Sequence, residues 1–163
     1  MAEDNRNFTL KIITPDRVFY EEEVSMVEFN TVEGEVGIYK EHIPMTMIVA
    51  PGILTITKDQ EVSEAALHAG FAEVLPDKVT VLAEIIEWPA EIDLARAEES
   101  KARAEERIRE HAPGTDMRRA EMSLKRAVAR IETVHKLALR HIAEPSRGGG
   151  VCYAGIYLKK KYG

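Results

Sequence analysis

The chain has 163 residues, 45% of them hydrophobic and 31% charged, with a formal net charge of −6. That length suits one or two small domains, and the hydrophobic share is well above that of chains too polar to fold. No apolar run approaches the roughly 20 residues that span a bilayer, and the start Met1-Ala2-Glu3-Asp4-Asn5 lacks the basic-then-apolar layout of a signal peptide, so a soluble chain on the cytoplasmic side is expected.

Residues 8–89 alternate with period two in short runs between turn signals. Phe8-Thr9-Leu10-Lys11-Ile12-Ile13 meets the turn Thr14-Pro15-Asp16, in which proline presets the second turn position. Arg17 to Tyr20 follows, the run Glu21-Glu22-Glu23 reads as a solvated turn, and Val24 to Thr31 alternates again. Gly34 and Gly37 offer points where the backbone can turn sharply. Met45 to Val49 runs into Pro51-Gly52, and Ile53 to Thr57 into Lys58-Asp59. Ala65 to Ala69 reaches Gly70, Phe71 to Leu75 reaches Pro76-Asp77, and Val79 to Leu82 begins the last strand. Strands this short, with a turn about every 8–12 residues, predict an antiparallel β-sandwich or flattened barrel. The pattern leaves the strand order open.

Trp88-Pro89 closes the strand region, and Asp93 stands where a helix cap or first-turn acid belongs. Leu94 to His111 is nearly all strong helix formers, and Pro113-Gly114 breaks the run. Thr115 or Asp116 then caps a second helix that extends to about Ala143, ahead of Pro145. Its apolar seam is Met117, Ala120, Leu124, Ala127, Ile131, Val134, Ala138 and His141, widened by Val128, Leu137 and Ile142. The first helix offers a thinner strip, Leu94, Ala97, Ala104 and Ile108, interrupted by Lys101. Two helices joined by a short turn predict an antiparallel hairpin. A thin alanine strip buries little area, so such a hairpin is expected to open or rearrange at low cost. The expected domains are 1–89, a β-sandwich, and 90–144, a helical hairpin. Residues 145–163 form a glycine-containing, basic tail read as a flexible tag or extension, with Cys152 an unremarkable thiol in it. One cysteine makes neither an internal disulfide nor a cysteine-rich zinc site.

The net charge divides along the same lines. Through Pro89 there are 6 basic and 17 acidic residues, from Ala90 to Glu144 12 and 11, and beyond that 4 and none. Catalytic constellations are lacking: His42 and His68 stand far apart in sequence and read as surface or hydrogen-bonded histidines. There is no Gly-x-Ser-x-Gly elbow and no Gly-x-x-x-x-Gly-Lys-Ser/Thr loop. An acidic first half without a basic, aromatic groove argues against nucleic-acid partners. Neither catalytic nor metal-ligating residues are expected. On the first helix Arg96, Arg103 and Arg107 share a flank, and on the second Arg126 and Arg130 do. Guanidinium groups suit bidentate phosphate binding; the plainer reading pairs them with Glu98, Glu99, Glu105, Glu106 and Glu132 as surface ion pairs.

In order and spacing these residues resemble the epsilon subunits of bacterial F-type ATP synthases over about residues 8–142. The most specific segments are Ile13-Thr14-Pro15-Asp16, then Phe29 to Ile38 followed by His42-Ile43-Pro44. Gly70-Phe71-Ala72-Glu73-Val74, Val79 to Glu84, Ile92 to Ala97 and Leu124-Lys125-Arg126-Ala127 complete the set. The resemblance implies an α+β fold, a ten-stranded antiparallel β-sandwich followed by an antiparallel two-helix hairpin. It implies a non-catalytic place in the rotating central stalk, peripheral to the bacterial plasma membrane on its cytoplasmic side. The sandwich would pack on the gamma subunit and the c-ring. The hairpin would lie folded or extend toward the alpha and beta subunits and inhibit ATP hydrolysis there. Some members of the family bind ATP at the folded hairpin through Ile/Leu-Asp-x-x-Arg-Ala, present here as Ile92, Asp93, Arg96 and Ala97. Glu87, Arg103, Arg126 and Arg130 fall at the other matching positions. ATP would then be a regulatory ligand rather than a required cofactor, favouring the compact hairpin through its higher affinity for that state. A free-standing ATP-binding sensor is the alternative function.

Overall fold

The computed structural model describes residues 6–143, so the readings of the 145–163 tail and of Cys152 lie outside the described residues. The described residues divide into two compact units, the first ending at Glu87 and the second beginning at Trp88.

The first unit is built from ten strands: β1 (Phe8–Ile13), β2 (Val18–Val24), β3 (Met26–Thr31), β4 (Gly34–Ile38), β5 (Met45–Val49), β6 (Gly52–Lys58), β7 (Glu61–Leu67), β8 (Gly70–Val74), β9 (Lys78–Ala83) and β10 (Ile86–Glu87). Hydrogen bonding links them in the order β10-β7-β6-β3-β5-β8-β9-β1-β2, with β4 on β3. The β3–β5 link is the single pair Thr31↔Val49. It therefore acts as a corner between two five-stranded layers, β10-β7-β6-β3-β4 and β5-β8-β9-β1-β2. The β2–β3 corner closes the sandwich elsewhere, where Ser25 donates from both its N–H and its hydroxyl to the Thr57 carbonyl, each at 2.9 Å.

Period-two alternation explains the core. Phe8, Leu10 and Ile12 of β1, Val27 and Phe29 of β3, Leu54 and Ile56 of β6, Ala72 and Val74 of β8, and Val79 and Val81 of β9 are all buried. Every second side chain of a strand points to the same face, so these sets define the inner faces of the layers. Gly70 is required at its corner, because a Cβ there would run into the Leu82 carbonyl oxygen of the neighbouring strand.

Three details depart from the expected pattern. β1 and β9 run parallel, Thr9↔Lys78 to Ile13↔Leu82, in an otherwise antiparallel fold. A tight hairpin can join only antiparallel strands, and here the whole intervening domain serves as the crossover. The Glu21-Glu22-Glu23 run is not a turn but the exposed middle of β2, its backbone held in register by β1. It is solvated, and Lys11 lies 3.3 Å from Glu21 while Lys58 pairs with Glu22. β10 is two residues long, too short for period two to reveal.

The second unit opens with a 3₁₀ turn, Pro89–Glu91, in which the Trp88 N–H donates to the Glu91 carboxylate at 2.8 Å. Asp93 caps α1 (Leu94–Glu110), accepting the Arg96 N–H at 3.1 Å. The helix stops at His111, which adopts φ 45° and donates its N–H back to the Arg107 carbonyl at 3.3 Å. The break thus falls ahead of Pro113-Gly114, at a residue in the left-handed region. Asp116 caps α2 (Met117–Ala143) through the Arg119 N–H at 3.1 Å.

α1 and α2 pack on each other. Ala97 and Ala104 are the buried residues of α1, as the alanine strip predicts. On α2, Ala120 and Ala127 of the predicted seam are buried, but so are Ala129 and Thr133. At about 100° per residue, Ala129 points away from Ala127, so α2 is buried along two opposed faces rather than one. The Thr133 hydroxyl donates to the Ala129 carbonyl at 2.6 Å, which removes the cost of burying it. Ile142, expected to widen the seam, is 73% exposed.

Candidate functional site

Two surfaces carry chemistry, one in each unit. On the sandwich it is the outer face of the β5-β8-β9-β1-β2 layer. Register places Ile48 opposite Phe71, Phe71 opposite Leu82, Leu82 opposite Ile13, and Ile13 opposite Val18. One unbroken apolar row therefore crosses all five strands. Ile48, Phe71, Leu82 and Val18 are 54%, 55%, 51% and 52% exposed, so about half of each side chain is left in water. The neighbouring row is polar, two residues along four of the strands and, across the β1–β2 register shift, three along β2: Thr46, Glu73, Thr80, Lys11 and Glu21. A scattered exposed apolar residue needs no explanation, whereas a contiguous band edged by polar groups marks a contact surface.

At the edge of this layer, Tyr20 of β2 has its phenol pushed above the ordinary 10.0 by burial and then by the Glu22 charge, against a lowering by Lys58. The Lys58 ammonium is held above its ordinary 10.5 chiefly by its hydrogen bond to Glu22. The pair joins β6 to β2 and so ties strands of the two layers.

In the second unit the motif residues occupy the junction of the 3₁₀ turn and α1. Ile92 follows the turn and donates its N–H to the Pro89 carbonyl at 3.3 Å. Asp93 is the cap, Arg96 is exposed in the first turn, and Ala97 beside it is buried. The structure thus brings Ile92, Asp93, Arg96 and Ala97 together and gives Asp93 and Ala97 local structural roles as well. Arg103 lies on the Arg96 flank, exposed, with a guanidinium nitrogen 4.0 Å from Glu99, and Lys101 lies 3.8 Å from Glu105. These exposed i,i+4 pairs contribute a few tenths of a kcal/mol at most, and Arg103 matches the plainer reading of the arginines. Arg126 and Arg130 share a face of α2 one turn apart, as their spacing predicts, and both are half-buried. Thr133 continues that stripe, so the two arginines border the second buried face of α2 rather than the Ala120–Ala127 face.

Glu87 belongs to the first unit, at the end of β10. Its Oε2 lies 3.0 Å from Nε2 of His68, a side chain with no exposed surface. The hydrogen-bonded reading of His68 holds, and sequence spacing could not reveal the partner 19 residues away. His42 is half-buried, its Nδ1 2.8 Å from the carbonyl of Ile43. Among the described residues no three histidine, cysteine, aspartate or glutamate side chains converge on a metal position, and no helix is long and apolar enough to cross a membrane.

The described residues thus comprise a two-layer sandwich with an exposed apolar row, followed by an arginine-bearing helical hairpin. Residues 7–89 match the beta-sandwich domain of the ATP synthase delta/epsilon chain, and residues 90–134 its long alpha-helix domain. The chain belongs to the delta/epsilon chain family of ATP synthase. It is 43% identical over 133 residues to the ATP synthase epsilon chain of Caldanaerobacter subterraneus subsp. tengcongensis, covering 81% of this chain and 96% of that one. With the epsilon chain of Halalkalibacterium halodurans the identity is also 43%, over 124 residues, covering 76% and 93%. The fold is shared with a chain in the cryo-EM structure of the Euglena gracilis mitochondrial ATP synthase (OSCP/F1/c-ring), at TM-score 0.67 and 20% identity over 81% of each chain.

Proposed function

We propose that this chain is the non-catalytic central-stalk subunit of a proton-translocating F-type ATP synthase, peripheral to the plasma membrane on its cytoplasmic side. The sandwich seats on the gamma subunit and the c-ring and passes rotation between them. The observation that carries this reading is the apolar row Ile48–Phe71–Leu82–Ile13–Val18, which gives one whole layer a continuous contact band. Co-purification tests it: the chain is expected to retain gamma in a pull-down, and failure to do so would sink the proposal.

The hairpin is the regulatory part. Extended, it reaches the alpha and beta subunits and inhibits ATP hydrolysis; folded, it releases them. Its two helices bury mainly alanine and threonine, so little apolar area opposes opening. ATP binds the folded form through Glu87, Ile92, Asp93, Arg96, Ala97, Arg103, Arg126 and Arg130, with the arginines on the phosphates and the first turn of α1 toward base or ribose. A ligand of this kind shifts the hairpin only by its difference in affinity for the two forms. Support comes from the half-burial of Arg126 and Arg130 on one face of α2, where reduced solvent screening strengthens a phosphate contact. Calorimetry on the whole chain should show ATP binding that weakens in Arg126→Ala and in Arg130→Ala. Unchanged affinity in both variants leaves these arginines as ordinary helix-surface charges.

A further inference from the structure

Glu87 is placed by more than its strand. β10 contributes only the pairs Ile86↔Leu67 and Glu87↔Ala66 to the sheet, and a two-residue strand fixes a backbone without fixing a side chain. Oε2 of Glu87 meets Nε2 of His68, in the corner between β7 and β8. That corner is itself held from both sides. The His68 N–H donates to the Ile85 carbonyl at 3.1 Å, and the Ala69 carbonyl accepts the Glu84 N–H at 2.8 Å. The imidazole is completely buried, with Nδ1 lacking a hydrogen-bond partner among the described residues and Nε2 3.0 Å from Glu87 Oε2. A carboxylate oxygen only accepts, so Nε2 donates. A buried ring that leaves one of its nitrogens unsatisfied is a costly choice for a core position, and the hydrogen bond to Glu87 is what that ring supplies.

We propose that His68 is the positioning residue for the Glu87 carboxylate, holding it in one rotamer for nucleotide before nucleotide arrives. This rests on the ATP reading above. A glutamate has several rotamers, and fixing one in advance removes that ordering cost from the binding step. His68 does not contact the ligand; it acts through Glu87. Affinity for ATP is then partly set by a residue inside the sandwich, outside the Ile-Asp-x-x-Arg-Ala segment.

The test is calorimetric titration of the full chain with Mg-ATP, in wild type, His68→Leu, His68→Gln, Glu87→Ala and the His68→Leu/Glu87→Ala double variant. Thermal melting of each identifies the variants that fold. Returning the ordering of the Glu87 side chain to the binding step predicts up to about tenfold weaker binding in His68→Leu. His68→Gln should stay within about threefold, because the glutamine Nε2 stands the same number of bonds from the backbone and donates as the imidazole does. On the Glu87→Ala background, His68→Leu should add nothing, since a positioning residue has no effect once its client is gone. Should His68→Leu fail to fold, His68→Asn takes its place: it keeps an amide but falls short of Glu87, and it should bind as weakly as His68→Leu is expected to. Wild-type affinity in the variant that lacks the donor, equal loss with leucine and glutamine, or additive losses in the double variant would each overturn the inference alone. ATP binding that is absent from wild type would overturn the nucleotide reading and this inference with it.

Discussion

Phe71→Ala separates contact-surface energetics from folding energetics. The ring stands second of five in the apolar row, between Ile48 and Leu82, and is 55% exposed. A phenylalanine side chain presents about 200 Å², so about 110 Å² is still open to water and available to a partner. At about 25 cal/mol per Å² its burial contributes about 2.7 kcal/mol, of which truncation to the methyl group removes about 2. That corresponds to about a thirtyfold rise in the Kd for the gamma subunit. Truncating an exposed surface residue leaves the folding of the free chain within about 0.5 kcal/mol. The two quantities come from isothermal titration against purified gamma and from urea unfolding of the free chain. Glu73→Ala, two positions along the same face in the polar row, is the control and should shift the affinity much less. Equal affinities for wild type and Phe71→Ala would refute the assignment of the row as the gamma contact. A large loss of stability in Phe71→Ala would refute the reasoning that the ring faces outward.

Asp93→Ala should cost the hairpin about 1 kcal/mol through loss of the α1 cap, whereas Asp93→Asn should keep it; circular-dichroism melts that do not separate the two variants would discard the cap as a source of stability. Raised values for Tyr20 and Lys58 mean that the folded chain keeps these protons to higher pH than the unfolded chain, whose groups titrate near 10.0 and 10.5. Their contribution is whole below about pH 10 and is lost as pH rises through the raised values, so the urea midpoint should fall as pH climbs above about 10. Tyr20→Phe should make that fall shallower, and an identical fall in the variant would rule out the tyrosine as a contributor.

What could be read from the sequence was mostly local. The caps at Asp93 and Asp116 follow from side-chain chemistry within a few residues of each helix start. The inner strand faces follow from alternation, as at Phe8, Leu10 and Ile12. Non-local pairing lay beyond reach. The apolar row exists only because register aligns five strands far apart in sequence; taken singly, Ile48, Phe71 and Leu82 are unremarkable strand residues. The parallel pairing of β1 with β9 has the same origin. On α2, Ala129 and Thr133 fall outside the three-four spacing of the predicted seam, so periodicity assigns them to the solvent side, and only tertiary packing buries them. Of the site residues, the spacing of Arg126 and Arg130 correctly placed them on one face, but not which face. The partner of Glu87 was hidden for the opposite reason to the helix caps: His68 meets it through strand pairing, not through any periodic spacing.

The central claim is that the sandwich seats the subunit and the hairpin regulates the motor. The most direct measurement is the ATPase rate of the reconstituted synthase carrying either the whole chain or a chain ending at Trp88. The truncated chain is expected to assemble with gamma as the whole chain does while the hydrolysis rate rises. Full inhibition by the truncated chain would contradict the assignment of the hairpin as the brake.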